Sequence, residues 1–194
     1  MKRSRLFLAL VFLGLAGTLG LGADLGEAPD FRLPEVRTGR TVALSDLARD
    51  HKAVAVIFIA TGCPYSNAFN HVMSDLARRY ESQGVAFVGI NSNKTEPVEN
   101  VRRHAEQHGF PFPVLKDEGS AVADLYKAQV TPEVFLVTPD LKVVYHGALG
   151  NSRQPTTKAE EANGDELAAA LDEFLAGKPV STPQTKMFGC TIKR

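Results

Sequence analysis

Only two of the 194 residues are cysteine, and that scarcity removes most metal and cofactor chemistry at once. Neither Cys63 nor Cys190 sits in a ligand-spaced cluster. His51, His104, His108 and His146 form none either, and zinc, haem and dinucleotide fingerprints are all missing. The chemistry expected of this chain therefore uses no metal and no cofactor. No internal repeat and no second domain are visible. With 44% hydrophobic and 23% charged residues, the chain suffices for one sizeable core and not for two.

What is present begins with an address label. Met1-Lys-Arg-Ser-Arg and the apolar stretch Leu6 to Leu21 have the basic and hydrophobic regions of a secretory signal, and Gly20-Leu21-Gly22-Ala23 supplies small residues for cleavage. Residues 1–23 are thus expected to be a signal peptide or, if retained, an N-terminal anchor. Either way the domain is exported, to a periplasmic or other extracytoplasmic location, with a membrane tether as the alternative to release. Without Lys2, Arg3 and Arg5 the chain keeps 19 basic residues against 22 acidic ones, a net charge of −3. No basic run interleaved with aromatics survives, so nucleic acid is not an expected partner.

The most informative stretch is Val54-Ala-Val-Ile-Phe-Ile-Ala-Thr-Gly-Cys63-Pro64-Tyr65-Ser66, an apolar strand running into a cysteine at the mouth of a helix. Unpaired N–H groups of a first helical turn and the positive end of the helix dipole favour a thiolate there. They move a cysteine pKa from ~8.5 toward ~3.5 to 7.5. Pro64 suits the first helical position, where its missing N–H costs nothing. Cys63 is accordingly the expected reactive thiol. Ser66, one turn on, either donates a hydrogen bond to that thiolate or bonds nearby backbone. Tyr65 either shapes a substrate groove or packs over the helix start. His71, about 12 Å further along a continuous helix, lies too far away to activate the thiol.

Cys190 lies in Met187-Phe-Gly-Cys-Thr-Ile-Lys-Arg, after a Pro/Ser/Thr-rich segment that reads as a mobile tether. A thiol on such a tether reaches a site on the domain at high effective concentration. The readings are a resolving thiol for Cys63, a tail staple or a free cysteine. Residues 24–178 are expected to form the domain and 179–194 the tail.

Between these points strand and helix signals alternate. Thr41-Val-Ala-Leu is followed by a brief turn capped at Ser45, then the strand Val54 to Ala60. Apolar residues recur at helical spacing from Pro64 to Gln83, ending at Gly84. Val85 to Ile90 is a strand, Val98 to His108 a helix and Asp117 to Lys127 helical. Glu133 to Val137 and Lys142 to Gly147 form an antiparallel hairpin, residues 150–164 a long surface loop, and Asp165 to Leu175 the closing helix. Parallel strand–helix–strand units followed by a hairpin and a helix predict an α/β domain with a central mixed β-sheet flanked by helices.

This order is that of the thioredoxin-like fold, and several motifs fall in register with it. Cys63-Pro-Tyr-Ser66 resembles the thioredoxin and glutaredoxin Cys-x-x-Cys site with its second cysteine replaced. Ala28-Pro-Asp-Phe-Arg-Leu and Gly39-Arg-Thr-Val-Ala-Leu-Ser-Asp-Leu resemble the opening segment of the redoxins, which include the AhpC/TSA peroxiredoxins and exported thiol-disulfide oxidoreductases. Thr131-Pro132 resembles the cis-proline of thioredoxins, whose loop packs against the active cysteine and presents backbone to an incoming chain. From about Ala28 to its end the chain is similar to bacterial peroxiredoxin-like and thioredoxin-like redoxins. The match is carried by Gly89-Ile-Asn-Ser-Asn, His108-Gly-Phe-Pro-Phe-Pro-Val-Leu-Lys-Asp, Val144-Tyr-His-Gly and Gly189-Cys-Thr-Ile-Lys. The resemblance implies Cys63 and Cys190 as catalytic residues, with Thr61, Pro64, Tyr65, Ser66, Thr131 and Pro132 contacting substrate.

The departures matter equally. Peroxiredoxins carry Pro-x-x-x-Thr-x-x-Cys, where this chain has Val56 and Ala60, and Thr61 stands one residue too close to Cys63. The arginine of that family is replaced around Thr131-Pro132-Glu133, which argues against fast peroxide reduction. The buried carboxylate of thioredoxin is replaced by Ile57. Glu133 either substitutes for it or is a solvated surface glutamate, the reading the sequence favours. The first expectation is an exported thiol-disulfide oxidoreductase acting on protein or small-molecule disulfides or hydroperoxides and recharged by an external thiol reductant. The alternatives are a slow, atypical thiol peroxidase and a non-catalytic thioredoxin-fold binding module with its cysteines stapled.

Overall fold

The computed structural model describes residues 25–194; the signal peptide or anchor expected over 1–23 lies outside the described residues. The elements in chain order are β1 (Arg32–Pro34), β2 (Thr41–Ala43), α1 (Leu44–Asp50), β3 (Ala53–Phe58), α2 (Pro64–Ala68), α3 (Asn70–Glu81) and β4 (Val85–Asn91). They continue with α4 (Val98–Gln107), β5 (Val114–Lys116), α5 (Ala121–Tyr126), β6 (Val130–Thr131), β7 (Glu133–Val137), β8 (Val143–Gly147), α6 (Asp165–Leu175) and β9 (Cys190–Thr191).

Five strands form the central sheet in the order β5-β4-β3-β7-β8. β3 is an unbroken apolar run and β4 is apolar up to its last residue, Asn91, with every residue of both buried, as in strands covered on both faces. They pair in parallel, and β4 pairs in parallel with β5, while β7 runs antiparallel to β3 and β8 antiparallel to β7. Successive side chains of β3 point to opposite faces. Ala53, Ala55 and Ile57 join residues of α3, α4 and α6 in one core; Val54, Val56 and Phe58 join residues of α1 and α5 in the other. The mixed sheet flanked by helices is the expected thioredoxin-like fold.

This topology assembles one end of the sheet. β3 and β4, being parallel, deliver the loops after Phe58 and Asn91 side by side. β7, being antiparallel, brings its first residue to the same end, with Glu133 opposite Phe58.

Local differences from the sequence pattern are informative. The helix expected over 64–83 is broken at Phe69 (φ −94°, ψ 1°), which closes a tight turn onto the Ser66 carbonyl and buries its ring completely. The brief turn at Ser45 is a seven-residue helix whose Ser45 N–H is taken by Asp30 Oδ1 at 2.9 Å. Residues 117–127 divide into a 3-10 turn, Glu118–Ser120, and α5, with Ser120 in the left-handed region between them. The 150–164 loop includes a further 3-10 turn, Ala159–Glu161.

Candidate active site

Cys63 caps α2 from an extended conformation, with Pro64 at the first helical position as its chemistry requires. Its sulfur accepts the Ser66 backbone N–H (3.4 Å) and donates to the Thr131 carbonyl (3.1 Å), and the residue is 2% exposed. The Ser66 hydroxyl accepts the Ala60 N–H (3.2 Å), a contact with nearby backbone. The Thr131-Pro132 peptide is cis, and Thr131 is buried.

The C-terminal tail, which its composition suggests is a mobile tether, is strapped to the domain along its length. Val180 joins the core, and Thr185 Oγ1 accepts the Ala148 N–H at 3.0 Å and shares a hydrogen bond with Tyr145 at 2.8 Å. Phe188 meets Tyr65 edge-on (ring centroids 5.8 Å apart) and Phe69 (6.1 Å). Residues 190–191 form β9, antiparallel to β6, with Cys190 paired to Thr131. Ile192 is buried in the second core, and Arg194 binds Asp124 and the Ala128 carbonyl. The tail is rich in Pro, Ser and Thr, yet main-chain pairing and the apolar side chains of Val180, Phe188 and Ile192 hold it.

Docking sets Cys190 against Thr131, whose carbonyl accepts the Cys63 thiol, so the two free thiols flank one residue. Burial first, then the Cys63 hydrogen bond and charge, push the Cys190 thiol up to about 11, with the Tyr65 backbone and Lys193 opposing. Cys190 therefore keeps its proton at neutral pH. Tyr65 touches the tail, and Thr61 lies in the loop leading into Cys63, its carbonyl accepting Asn67 Nδ2 at 2.9 Å.

Glu133 corrects the sequence reading of a solvated surface residue: it is fully buried. Its Oε2 accepts the Gln129 and Val130 N–H groups (2.8 and 3.1 Å), and its Oε1 meets His146 Nε2 at 2.8 Å. Its contacts go to the segment entering β6 and to His146, so it supports the cis-proline edge. His146 in turn stacks on Phe135, with centroids 4.1 Å apart.

Sequence reasoning missed a second polar cluster behind the cysteine loop, centred on the half-buried Glu96. Glu96 accepts four hydrogen bonds, from Thr61 N (2.9 Å), Gly62 N (3.0 Å), Asn91 Nδ2 (2.5 Å) and Asn93 Nδ2 (3.1 Å). Burial opposes its ionisation, but these donors outweigh it and hold the carboxyl below its ordinary range. Lys116, 2% exposed, donates to Asn91 Oδ1 (3.0 Å) and the Asn93 carbonyl (2.7 Å). Desolvation lowers its pKa against the pull of Glu118, Glu96 and Asp117. The signal was the run of polar side chains at 91–93 directly after a buried strand. Among the described residues no group of three or more His, Cys, Asp or Glu is placed to hold a metal ion.

A reactive-type cysteine at a strand–helix junction, facing a cis-proline edge on a mixed five-stranded sheet, defines the thioredoxin-like redoxin class. The chain belongs to the AhpC/TSA family, which matches residues 26–146. It is 34% identical over 127 residues to "Thiol-disulfide oxidoreductase ResA" of Oceanobacillus iheyensis, a match covering 63% of this chain and 64% of that relative's length. Among solved structures, an uncharacterized conserved protein from Geobacillus kaustophilus superposes with TM-score 0.81 at 37% identity, covering 90% of this chain and 94% of that one. The thioredoxin domain of a thiol-disulfide oxidoreductase from Bacteroides vulgatus shares the fold, with TM-score 0.63 at 19% identity over 79% of this chain and 98% of that one.

Proposed function

We propose that this protein is an exported thiol-disulfide oxidoreductase in which Cys63 attacks and Cys190 resolves. The observation that carries the reading is the position of Thr131 at the cis-proline edge, which pairs with Cys190 across β6 and β9 while its carbonyl accepts the Cys63 thiol. The Cys63 thiolate attacks one sulfur of a substrate disulfide, forming a mixed disulfide and expelling the other sulfur as a thiolate. Cys190, once deprotonated, attacks the Cys63 sulfur, releases the second substrate thiolate and leaves a Cys63–Cys190 disulfide. An external dithiol then reduces that bond. Ser66 cannot resolve the intermediate, so Cys190 takes the place of the missing second cysteine. Export rests on the leader pattern of residues 1–23.

One observation favours a second reading, a slow thiol peroxidase. The tail covers the β6 edge, so an extended protein chain cannot pair there while β9 is docked, whereas a small hydroperoxide needs no edge. The Cys63 thiolate would then attack one oxygen of the hydroperoxide, breaking the O–O bond so that the other oxygen leaves, with a proton, as water or an alcohol, and Cys190 would displace water from the sulfenic acid in closing the disulfide.

Reaction with excess glutathione disulfide and, separately, with hydrogen peroxide tests both. Cys63→Ser is expected to abolish both reactions. Cys190→Ser is expected to stall after the first step with a glutathione adduct or sulfenic acid on Cys63. Equal turnover in Cys190→Ser and the parent would remove Cys190 from the cycle.

A further inference from the structure

The four-bond carboxylate of Glu96 does not stand alone. Asn93 joins it to the tail: Nδ2 donates to Glu96 Oε1, while Oδ1 accepts the Lys193 backbone N–H at 2.8 Å. The tail returns the contact, because the Lys193 carbonyl accepts the Lys94 N–H at 2.9 Å. Asn93 is 5% exposed, and its own carbonyl is held by the buried Lys116 ammonium. One rigid cluster therefore grips the backbone of Thr61 and Gly62, immediately before Cys63, and the backbone of Lys193, three residues after Cys190.

We infer that Asn93 is a positioning residue for the resolving step, fixing the tail relative to the Cys63 loop so that the two sulfurs meet. The inference rests on Cys190 being the resolving thiol. The physical argument is one of registry. Beyond Cys190 the Ile192 N–H on the Gln129 carbonyl and the Arg194 contacts with Asp124 and the Ala128 carbonyl tie the tail to the β6 side, and the Asn93–Lys193 bond ties it to the side of the Cys63 loop. A fixed point on the support that holds Thr61 and Gly62 sets the tail's position against that loop, and holding reacting groups in place accelerates an intramolecular step. Cys63 needs none of this for its own attack on an oxidant, because its contacts run to Ser66 N and Thr131 O. The clamp therefore acts on the second step alone.

The test separates the steps. With hydrogen peroxide as oxidant, the Cys63 thiolate becomes a sulfenic acid with loss of water. The Cys190 sulfur then attacks that sulfur, and a second water leaves as the disulfide forms. Trapping the sulfenic acid with dimedone at timed intervals, with mass spectrometry of the Cys63 and Cys190 peptides, gives both rates. Asn93→Ala deletes the acceptor. Lys193→Pro deletes the donor from an exposed tail residue without touching the buried cluster, and decides the matter alone if Asn93→Ala fails to fold. Lys193→Pro is expected to form the sulfenic acid at the parent rate, and both variants are expected to close the disulfide about five- to tenfold more slowly, the effect of one partly solvent-shielded hydrogen bond. Parent-like closure in both would overturn the clamp while leaving Cys190 as the resolving thiol. A parent protein that never forms the Cys63–Cys190 bond would overturn the resolving role and the clamp with it.

Discussion

Thr131 and Cys190 face each other across β6 and β9, and the Thr131 carbonyl is also the acceptor of the Cys63 thiol. One residue at the cis-proline thus touches both halves of the thiol pair. The chain's own C-terminus occupies the edge that the redoxin resemblance reserves for an incoming chain.

Gly189 is what permits that approach. A Cβ there would stand 2.0 Å from the Thr131 carbonyl oxygen, and its φ of +154° is one that side-chain-bearing residues rarely adopt. Gly189→Ala is expected to undock β9, slow disulfide closure more than about tenfold through lost proximity, and open the tail to proteolysis. Timed limited digestion beside the closure assay checks this. A protected tail would show that the strand tolerates the methyl group.

Glu133 supports the other side of the same edge. Glu133→Ala leaves the partly buried Gln129 and Val130 N–H groups without their acceptor, a loss of about 1–3 kcal/mol of stability. Glu133→Gln retains one side-chain oxygen acceptor and is expected to recover part of it. Urea unfolding of the three proteins at pH 7 measures the difference, and equal midpoints would contradict the supporting role.

Acid stability should decline in two stages. Burial, then the nearby His108, lower His104 from 6.5 to about 4. The unfolded chain therefore takes up this proton first, and stability present above pH 6.5 is lost as the pH falls toward 4. Because the ring is partly exposed, the loss is discounted to about 1 kcal/mol. Below that, Glu96 and Glu35 take over. Both are depressed from 4.5, so their contribution is present above 4.5 and disappears as the pH drops through their lower folded values. Denaturation midpoints from pH 8 to 3 are expected to fall in both windows, and His104→Phe should flatten the upper one. An unchanged upper slope in that variant would remove His104 as its cause.

Much of this site is legible in the residues. The apolar run into Cys63-Pro64 places a cysteine at a helix start, and Thr131-Pro132 is cis as the thioredoxin resemblance implies. Three things escaped the sequence pattern. Phe69 breaks the helix although the apolar spacing runs straight through it, because periodicity reports which face is buried and not whether ψ stays helical. Glu133 is buried because a strand start beside a cis peptide leaves backbone donors that a carboxylate can satisfy, and no local pattern announces them. The tail docks through main-chain pairing, a missing Cβ at Gly189 and long-range anchors at Phe188 and Ile192, features to which composition is blind.

The most direct measurement of the central claim is non-reducing peptide mass mapping of the purified protein, before and after one equivalent of hydrogen peroxide and then after reduced thioredoxin. The account predicts free Cys63 and Cys190 at the start, a Cys63–Cys190 linked peptide after oxidation, and its disappearance on reduction. A Cys63 that stays a thiol, or a bond present from the outset that resists the reductant, would contradict the redox cycle and point instead to a binding module with stapled cysteines.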